Sequence, residues 1–281
     1  MLVDLSTMED RHIIITCRLD RATIRNLCAQ LEPDLTSAIR HPTGIPPLVR
    51  VLSVLHFLAS GSFQTTLAMA SGMSQPMFSN MLYRVLSALL KHMRSYIIFP
   101  QVEDLPTVKA DFYALGHIAN IIGSIDGTHV AFVPARRNEQ VYINHKSYYS
   151  MNVQMVSLAD QYIYHVNAKF PGSVHDAYIL RNSSIPYVMG HLQRHRVWLI
   201  GDSGYPNLSW LLTPVRNART RAEERYYEAH GLALRRQVPF LQEDGPDVGL
   251  VAAVEPVDSE EEEAEEEDID NRNNIIMQYF Q

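Results

Sequence analysis

The chain has 281 residues, 46% of them hydrophobic and 20% charged, enough to bury one sizeable core and a smaller accessory domain. No apolar run approaches the roughly 20 residues of a membrane span, and residues 1–15 lack the basic start and continuous apolar stretch of a signal peptide. We therefore expect a nuclear or cytoplasmic globular protein without a membrane partner. Cys17 and Cys28 offer neither a disulfide framework nor a zinc pattern, so we expect them only to pack.

The net charge of −7 is concentrated near the C-terminus. Ten acids lie between Asp258 and Asp270, which leaves 21 of the 31 acids against 24 bases in the rest of the chain. This mildly basic body permits a polyanionic partner but does not demand one. Residues 241–281 are predicted to be an acidic, disordered tail.

The first elements along the chain are helical. Within a helical N-terminal region at 1–110, residues 46–91 repeat apolar side chains every three or four positions, and we interpret them as three helices. Ser62 and Ser74 are good N-cap residues for the second and third helices. The segment predicts a helix-turn-helix that binds DNA, or a helical bundle that braces the following domain, and the sequence favours neither alternative.

Strands follow a connector at 104–120. Residues 121–135 predict two short strands around a turn at Gly127, and residues 147–170 predict two alternating strands joined at 159–161. Next come a helix capped by Ser173, a buried strand at 197–201, and a further helical stretch. This order predicts an α+β fold with one mixed sheet flanked by helices, over 121–240.

Three acids lie where the predicted strands and the following helix come together: Asp126, Asp176 and Asp202. Apolar residues lead into Asp126 and Asp202, so we expect both carboxylates at the edge of adjacent buried strands. Clustered carboxylates repel one another, and a hard divalent cation such as Mg²⁺ or Mn²⁺ removes that cost. Two such ions can activate water and stabilise the leaving oxygen in phosphodiester cleavage.

Each acid also has a purely structural interpretation. Asp126 and Asp202 could fix tight turns through their side chains, and Asp176 could favour the positive end of its helix. Aspartate before Gly-Thr also occurs in phosphohydrolases that form an aspartyl-phosphate, but those enzymes need a nucleophilic aspartate where this chain has Ser124. Weaker candidates for phosphate contact are His129, His145, Lys146, His175, Arg136 and Arg137.

Four motifs resemble the transposase-derived domain of the PIF/Harbinger family. They are IDGTHV at 125–130, NHKSYYSMNVQMV at 144–156, FPGSVHDAYIL at 170–180 and GDSGYP at 201–206. The resemblance implies an RNase H-like fold, a divalent-metal site, DNA cleavage, and residence in the nucleus, also in the cytoplasm. It places Asp126, Asp176 and Asp202 on the family's acidic positions, with Asp126 and Asp202 as catalytic metal ligands.

The resemblance departs from the family after Ala229-His230. There the family has a helix bearing its last catalytic glutamate, whereas this chain has Val238 near the expected position. The chain is similar to a family member in which an internal block is skipped, as in a shortened isoform or gene model. Two hypotheses follow: a metal-dependent endonuclease, or a catalytically impaired descendant that binds DNA or a nuclear protein partner.

Overall fold

The computed structural model of the protein describes residues 5–36, 45–134, 139–215 and 217–237. The chain divides into two compact units, Met1–Tyr96 and Ile97–Gln281. Val238, Arg136, Arg137 and the predicted acidic tail at 241–281 lie outside the described residues. Among the helices that are described, none combines the length and apolar character needed to cross a bilayer.

The first unit is helical. Its described helices are α1 Asp10–Cys17, α2 Arg21–Leu35, α3 Pro47–Ser60, α4 Gln64–Ala70 and α5 Gln75–Met93. The buried side chains of α5 recur at helical spacing, at Phe78, Met81, Leu82 and Val85, so one face of the helix enters the core. The three helices predicted between residues 46 and 91 are confirmed.

Of the two helix caps predicted from the sequence, the structure confirms one. Ser74 caps α5, since its hydroxyl accepts a hydrogen bond from the backbone N–H of Met77. The Ser62 prediction is wrong: α4 begins at Gln64, and Phe63 occupies the cap position without a side-chain bond. Cys17 and Cys28 are both free thiols and pack in or against the apolar core of this unit.

The second unit is built on a five-stranded mixed sheet. Its elements are α6 Leu105–Gly116, β1 Ile121–Ala131, β2 Ser150–Ser157, β3 Ile163–Pro171, α7 Asp176–Arg181, α8 Ile185–Leu192, β4 Trp198–Gly201, β5 Leu211–Leu212 and α9 Arg221–Gln237. The strand order is β3-β2-β1-β4-β5. β2 is antiparallel to both β1 and β3, whereas β4 is parallel to both β1 and β5. The predicted α+β class is confirmed, and this mixed sheet with flanking helices is consistent with an RNase H-like fold.

The predicted connector at 104–120 is wrong over most of its length, because it contains α6. The buried residues Leu105, Val108 and Phe112 lie on one helical face, and Pro106 occupies the first turn, where a missing N–H costs nothing. The helix ends at His117, which adopts the left-handed conformation with φ of 57°.

The predicted hairpin around Gly127 is also wrong. β1 runs unbroken through Gly127 and pairs with β2 from Ser124 to Ala131. Ser173 does not cap α7 either; the cap residue is His175, and the Ser173 hydroxyl donates to the carbonyl oxygen of Val141 at 2.6 Å. The two-residue strand β5 was not predicted, because a strand that short leaves no alternating pattern.

The helix α9 closes the core of this unit. Its buried residues Tyr226, Ala229, His230 and Ala233 form one face. The Tyr226 hydroxyl donates to the carbonyl oxygen of Thr213 at 3.0 Å, and Nε2 of His230 lies 3.2 Å from the carbonyl oxygen of Leu212. These bonds hold α9 beside β5.

Candidate metal centre

Asp126 lies in the middle of β1. Its Oδ1 accepts a hydrogen bond of 2.7 Å from the backbone N–H of Gly127. The strand continues on both sides of the residue, so the interpretation of Asp126 as a turn residue is wrong.

Asp202 follows the last residue of β4. In the parallel pairing of β1 and β4, Ser124 stands opposite Ile200 and Ile125 opposite Gly201. One residue further, this register brings Asp126 beside Asp202, and residues opposite each other in a sheet present their side chains on the same face. Asp202 also stabilises a turn, because its Oδ1 accepts from the backbone N–H of Gly204 at 3.0 Å.

Asp176 is the first residue of α7 and is held in place by Asn152 of β2. The Asn152 amide nitrogen donates to Oδ1 of Asp176 at 2.8 Å and to the carbonyl oxygen of Val174 at 2.9 Å. A Cβ on Gly127 would lie 2.5 Å from the same carboxylate oxygen. The glycine is therefore needed for the close approach of Asp176 to β1.

The carboxylates of Asp176 and Asp202 both lie beside Gly204. A Cβ on this glycine would be 3.3 Å from Oδ2 of Asp176 and 3.2 Å from Oδ1 of Asp202. Asp176 thus lies next to Asp202 as well as on the Gly127 face of β1.

The structure does not gather Asp126, Asp176 and Asp202 into one compact metal-binding group. In the described part of the chain, no three or more His, Cys, Asp or Glu side chains form a group arranged to hold a metal ion. The assignment of the three aspartates as metal ligands stays a prediction.

The donors at this strand end suit a hard cation. They are oxygen atoms of carboxylates and amides, which are the ligands that Mg²⁺ and Mn²⁺ prefer. Asn152 and Gln154 are fully or almost fully buried, and their side-chain oxygens have no hydrogen-bond partner within the described residues. The residues present therefore fit a divalent cation.

Burial shapes the electrostatics of the centre. The pKa of Asp202 is raised, first because burial disfavours its charged form and then because Asp176 repels it, while the bond from Gly204 acts in the opposite direction. Burial also raises the pKa of Tyr205 far above its ordinary value, and the negative charges of the three aspartates add to this shift. Tyr205 therefore stays protonated beside the acids.

Sequence reasoning missed Asn152, Gln154 and Tyr205. The Gln154 amide donates to the Tyr205 hydroxyl at 3.3 Å, and both side chains are buried. A signal was present, because the inward positions of β2 include Ser150, Asn152 and Gln154 where an ordinary sheet core has apolar residues.

The weaker candidates for phosphate contact differ in their exposure to solvent. His129 is half-buried on β1, whereas His145, Lys146 and His175 are exposed. His175 precedes α7 without making a side-chain cap bond.

The helix α9 begins eight residues before Ala229-His230 rather than at that pair. His230 is buried, and the described residues 229–237 contain no acid. Glu228, the nearest acid before this pair on the helix, is exposed to solvent, while Glu243 and Glu255 lie outside the described residues. The helix thus carries no inward-pointing glutamate next to the buried face that contacts the sheet.

Comparisons with known proteins agree with this fold and these motifs. Residues 125–238 match the family described as DDE superfamily endonuclease. The chain is 32% identical over 227 residues to "Putative nuclease HARBI1" of Bos taurus and 31% identical to its Homo sapiens counterpart, covering 80% of this chain and 65% of each relative. It is 26% identical to "Protein ALP1-like" of Arabidopsis thaliana, over 72% of this chain and 54% of that protein.

The chain therefore spans about two thirds of the length of the first of these relatives. No solved structure matches it significantly. The resemblance to the Harbinger family is nevertheless confirmed by both kinds of match. Residues 125–238 thus match the DDE superfamily endonuclease family, and the chain is similar over 227 residues to the proteins named "Putative nuclease HARBI1".

Proposed function

We propose that the protein is a metal-dependent endonuclease that hydrolyses DNA phosphodiester bonds. The observation that carries this proposal is the parallel register of β1 and β4, whose last pair, Ile125 and Gly201, immediately precedes Asp126 and Asp202. Two carboxylates on neighbouring buried strands provide an anionic oxygen site with little solvent competition. The similarity to proteins named as nucleases supports the same reaction class.

In this proposal Asp126 and Asp202 would hold the divalent cation, which would supply Lewis-acid chemistry when bound. Asp176, fixed by Asn152, is a further ligand or an acid of the outer shell. Gln154 and Tyr205 fill the space beside these acids and are hydrogen-bonded to each other. The partial burial of Asp126, Asp176 and Asp202 strengthens their attraction for a cation relative to fully exposed carboxylates.

The helical unit supports a role in DNA binding. The helices α4 and α5 are joined by the short turn 71–74, as in a helix-turn-helix. In the first half of α5, Gln75, Asn80 and Arg84 are exposed, and these side-chain types can contact bases or phosphates. Lys91 at the other end of the helix forms an ion pair with Asp34 instead.

A plasmid-nicking assay with Mg²⁺ or Mn²⁺ tests the proposal. The full chain should nick supercoiled DNA, and Asp126→Asn should abolish nicking because a neutral amide binds the cation far less strongly. Asp111→Asn is the matched control, since Asp111 is an exposed acid on α6. Nicking that survives Asp126→Asn, or that persists in EDTA, would contradict the proposal.

A second candidate is a catalytically impaired descendant that acts as a DNA-binding or protein-binding module. It is favoured by the lack of any acid at 229–237 on α9, where the resemblance implies a helix with a third ligand. Salt-sensitive DNA binding without nicking by the wild-type chain would favour this function over the first.

A further inference from the structure

The loop at residues 144–148 is organised by one buried amide, that of Asn144. Its Nδ2 donates to the Ser150 hydroxyl at 3.0 Å, and its Oδ1 accepts from the backbone N–H groups of Lys146 and Tyr148 at 2.9 and 3.3 Å. The backbone N–H of Asn144 also donates to the carbonyl oxygen of Tyr148 at 3.0 Å. Asn144 is only 4% exposed, so the loop holds a fixed shape that presents His145 and Lys146 to solvent.

The same network orients the ring of His129. The Ser150 oxygen accepts from Asn144 and lies 3.0 Å from Nδ1 of His129. With Asn144 as its donor, the hydroxyl can give its own proton to Nδ1, and this arrangement satisfies both groups. The neutral His129 ring then carries its proton on Nε2.

Three basic side chains meet at this place. The rings of His129 and His145 lie 5.4 Å apart in an edge-to-face arrangement. Burial lowers the pKa of His129, and the charges of His145 and Lys146 lower it further, whereas Asp176 acts in the opposite direction. An anion bound here would be attracted by the charge of Lys146 and could accept a hydrogen bond from Nε2–H of the neutral His129 ring.

We propose that His129, His145 and Lys146 form a subsite for a non-scissile phosphate of the DNA strand. The inference rests on the proposed function for the identity of the anion. His129 lies two residues beyond Gly127 on β1, about 7 Å along the strand, and its side chain is on the face where Asp176 approaches the strand. One DNA strand advances about 3.4 Å per nucleotide, so a phosphate bound here lies about two nucleotides along the strand from Asp176.

The subsite is tested by DNA binding in EDTA, so that cleavage plays no part. The full chain is titrated against a short fluorescein-labelled DNA duplex, and anisotropy is followed at several salt concentrations. Lys146→Ala should weaken binding about three- to tenfold and reduce the slope of log K against log salt by about 0.9. His129→Ala should weaken binding with a smaller change in slope, because it loses a hydrogen-bond donor that is neutral near pH 7.

Lys169→Ala is the matched control, because Lys169 is an exposed lysine on β3 of the same sheet. It should change affinity less than about twofold. Equal losses for Lys146→Ala and Lys169→Ala would overturn the subsite. Equal losses together with nicking that depends on Asp126 would contradict the subsite but not the nuclease. A larger loss for Lys146→Ala than for Lys169→Ala, without nicking that depends on Asp126, would contradict the nuclease but not the subsite.

Ser150→Ala tests the positioning role of the hydroxyl. In the wild-type chain, ¹⁵N NMR of the His129 imidazole should show the Nε2–H tautomer, and Ser150→Ala should produce a mixture of tautomers with weaker DNA binding. An unchanged tautomer in a folded Ser150→Ala variant would contradict the proposed orientation of His129.

Discussion

The two units bury different kinds of side chain. In the described part of the helical unit, the core is made of apolar residues alone, with Phe78 and Ile24 fully buried. The sheet unit buries the polar or charged residues Ser124, Asn144, Ser150, Asn152, Gln154, Asn167, Asn207, Thr213 and His230. Buried polar groups lower the stability of a fold unless they are paired. Their concentration in the sheet unit therefore indicates that this unit keeps polar side chains inside at some cost in stability.

The helical unit therefore should lose most when an apolar contact is removed. Phe78 is fully buried and packs edge-to-face on Phe57, with ring centroids 6.1 Å apart. Phe78→Ala should lower the free energy of unfolding by about 3–5 kcal/mol, because it leaves a cavity. Denaturant titration measures the loss. Tyr83→Ala on the same helix removes a side chain that is 73% exposed and should change stability by less than about 0.5 kcal/mol.

In the sheet unit, a single methyl group added next to the acids should lower the free energy of unfolding. Gly127→Ala places a Cβ against Oδ1 of Asp176, which Asn152 holds in place, and should lower the free energy of unfolding by about 1–3 kcal/mol. Gly190→Ala in α8 is the control, since its Cβ meets nothing within 4 Å. It should stabilise the helix by about 0.5–1 kcal/mol. Equal thermal midpoints for the two variants would contradict the close approach of Asp176.

Removal of a buried polar group should have an intermediate effect. Asn152→Ala deprives Asp176 and the Val174 carbonyl of their donor and should cost about 1–2 kcal/mol. Asn182→Ala removes an exposed amide that bonds only locally to the Tyr178 carbonyl, and its cost should stay below about 0.5 kcal/mol. Chemical denaturation of both variants in EDTA makes the comparison.

The smallest expected change in the free energy of unfolding is an increase rather than a decrease. Because the pKa of Asp202 is raised in the fold, the folded protein retains this proton at pH values where the unfolded chain has released it. The associated stability is complete below the unfolded pKa and is lost as the pH rises through the folded pKa. At pH 7 without metal, Asp202→Asn should thus increase the free energy of unfolding.

The gain from Asp202→Asn should vanish near pH 3, where the wild-type carboxyl is protonated in both states. Mg²⁺ should stabilise the wild-type chain and not the variant. Thermal unfolding at both pH values, with and without Mg²⁺, tests these expectations. A lower stability of the variant at pH 7 in EDTA would show that Asp202 is not under electrostatic strain.

The sequence predicted the α+β class and two alternating strands over 147–170, because alternation is a local signal. It placed Asp202 correctly after a buried strand, but Asp126 lies in the middle of β1 rather than at an edge. It mistook Gly127 for a turn, since a glycine required for a close approach looks the same as one required for a turn. The partners of Asp176 could not be predicted either. Asn152 lies 24 residues away, and only the pairing of β2 with β1 brings it to the site.

The contact between α6 and α9 sets the order in which the sheet unit can be completed. A Cβ on Gly116 would lie 2.6 Å from the carbonyl oxygen of Ala229, and these residues are 113 positions apart in the chain. At a synthesis rate of about 5–20 residues per second, the partner of α6 emerges about 6–23 s after α6 itself. During that interval the surface of α6 that faces α9 in the folded unit has no partner from α9, so the time for which it stays uncovered is set by the translation of the intervening strands.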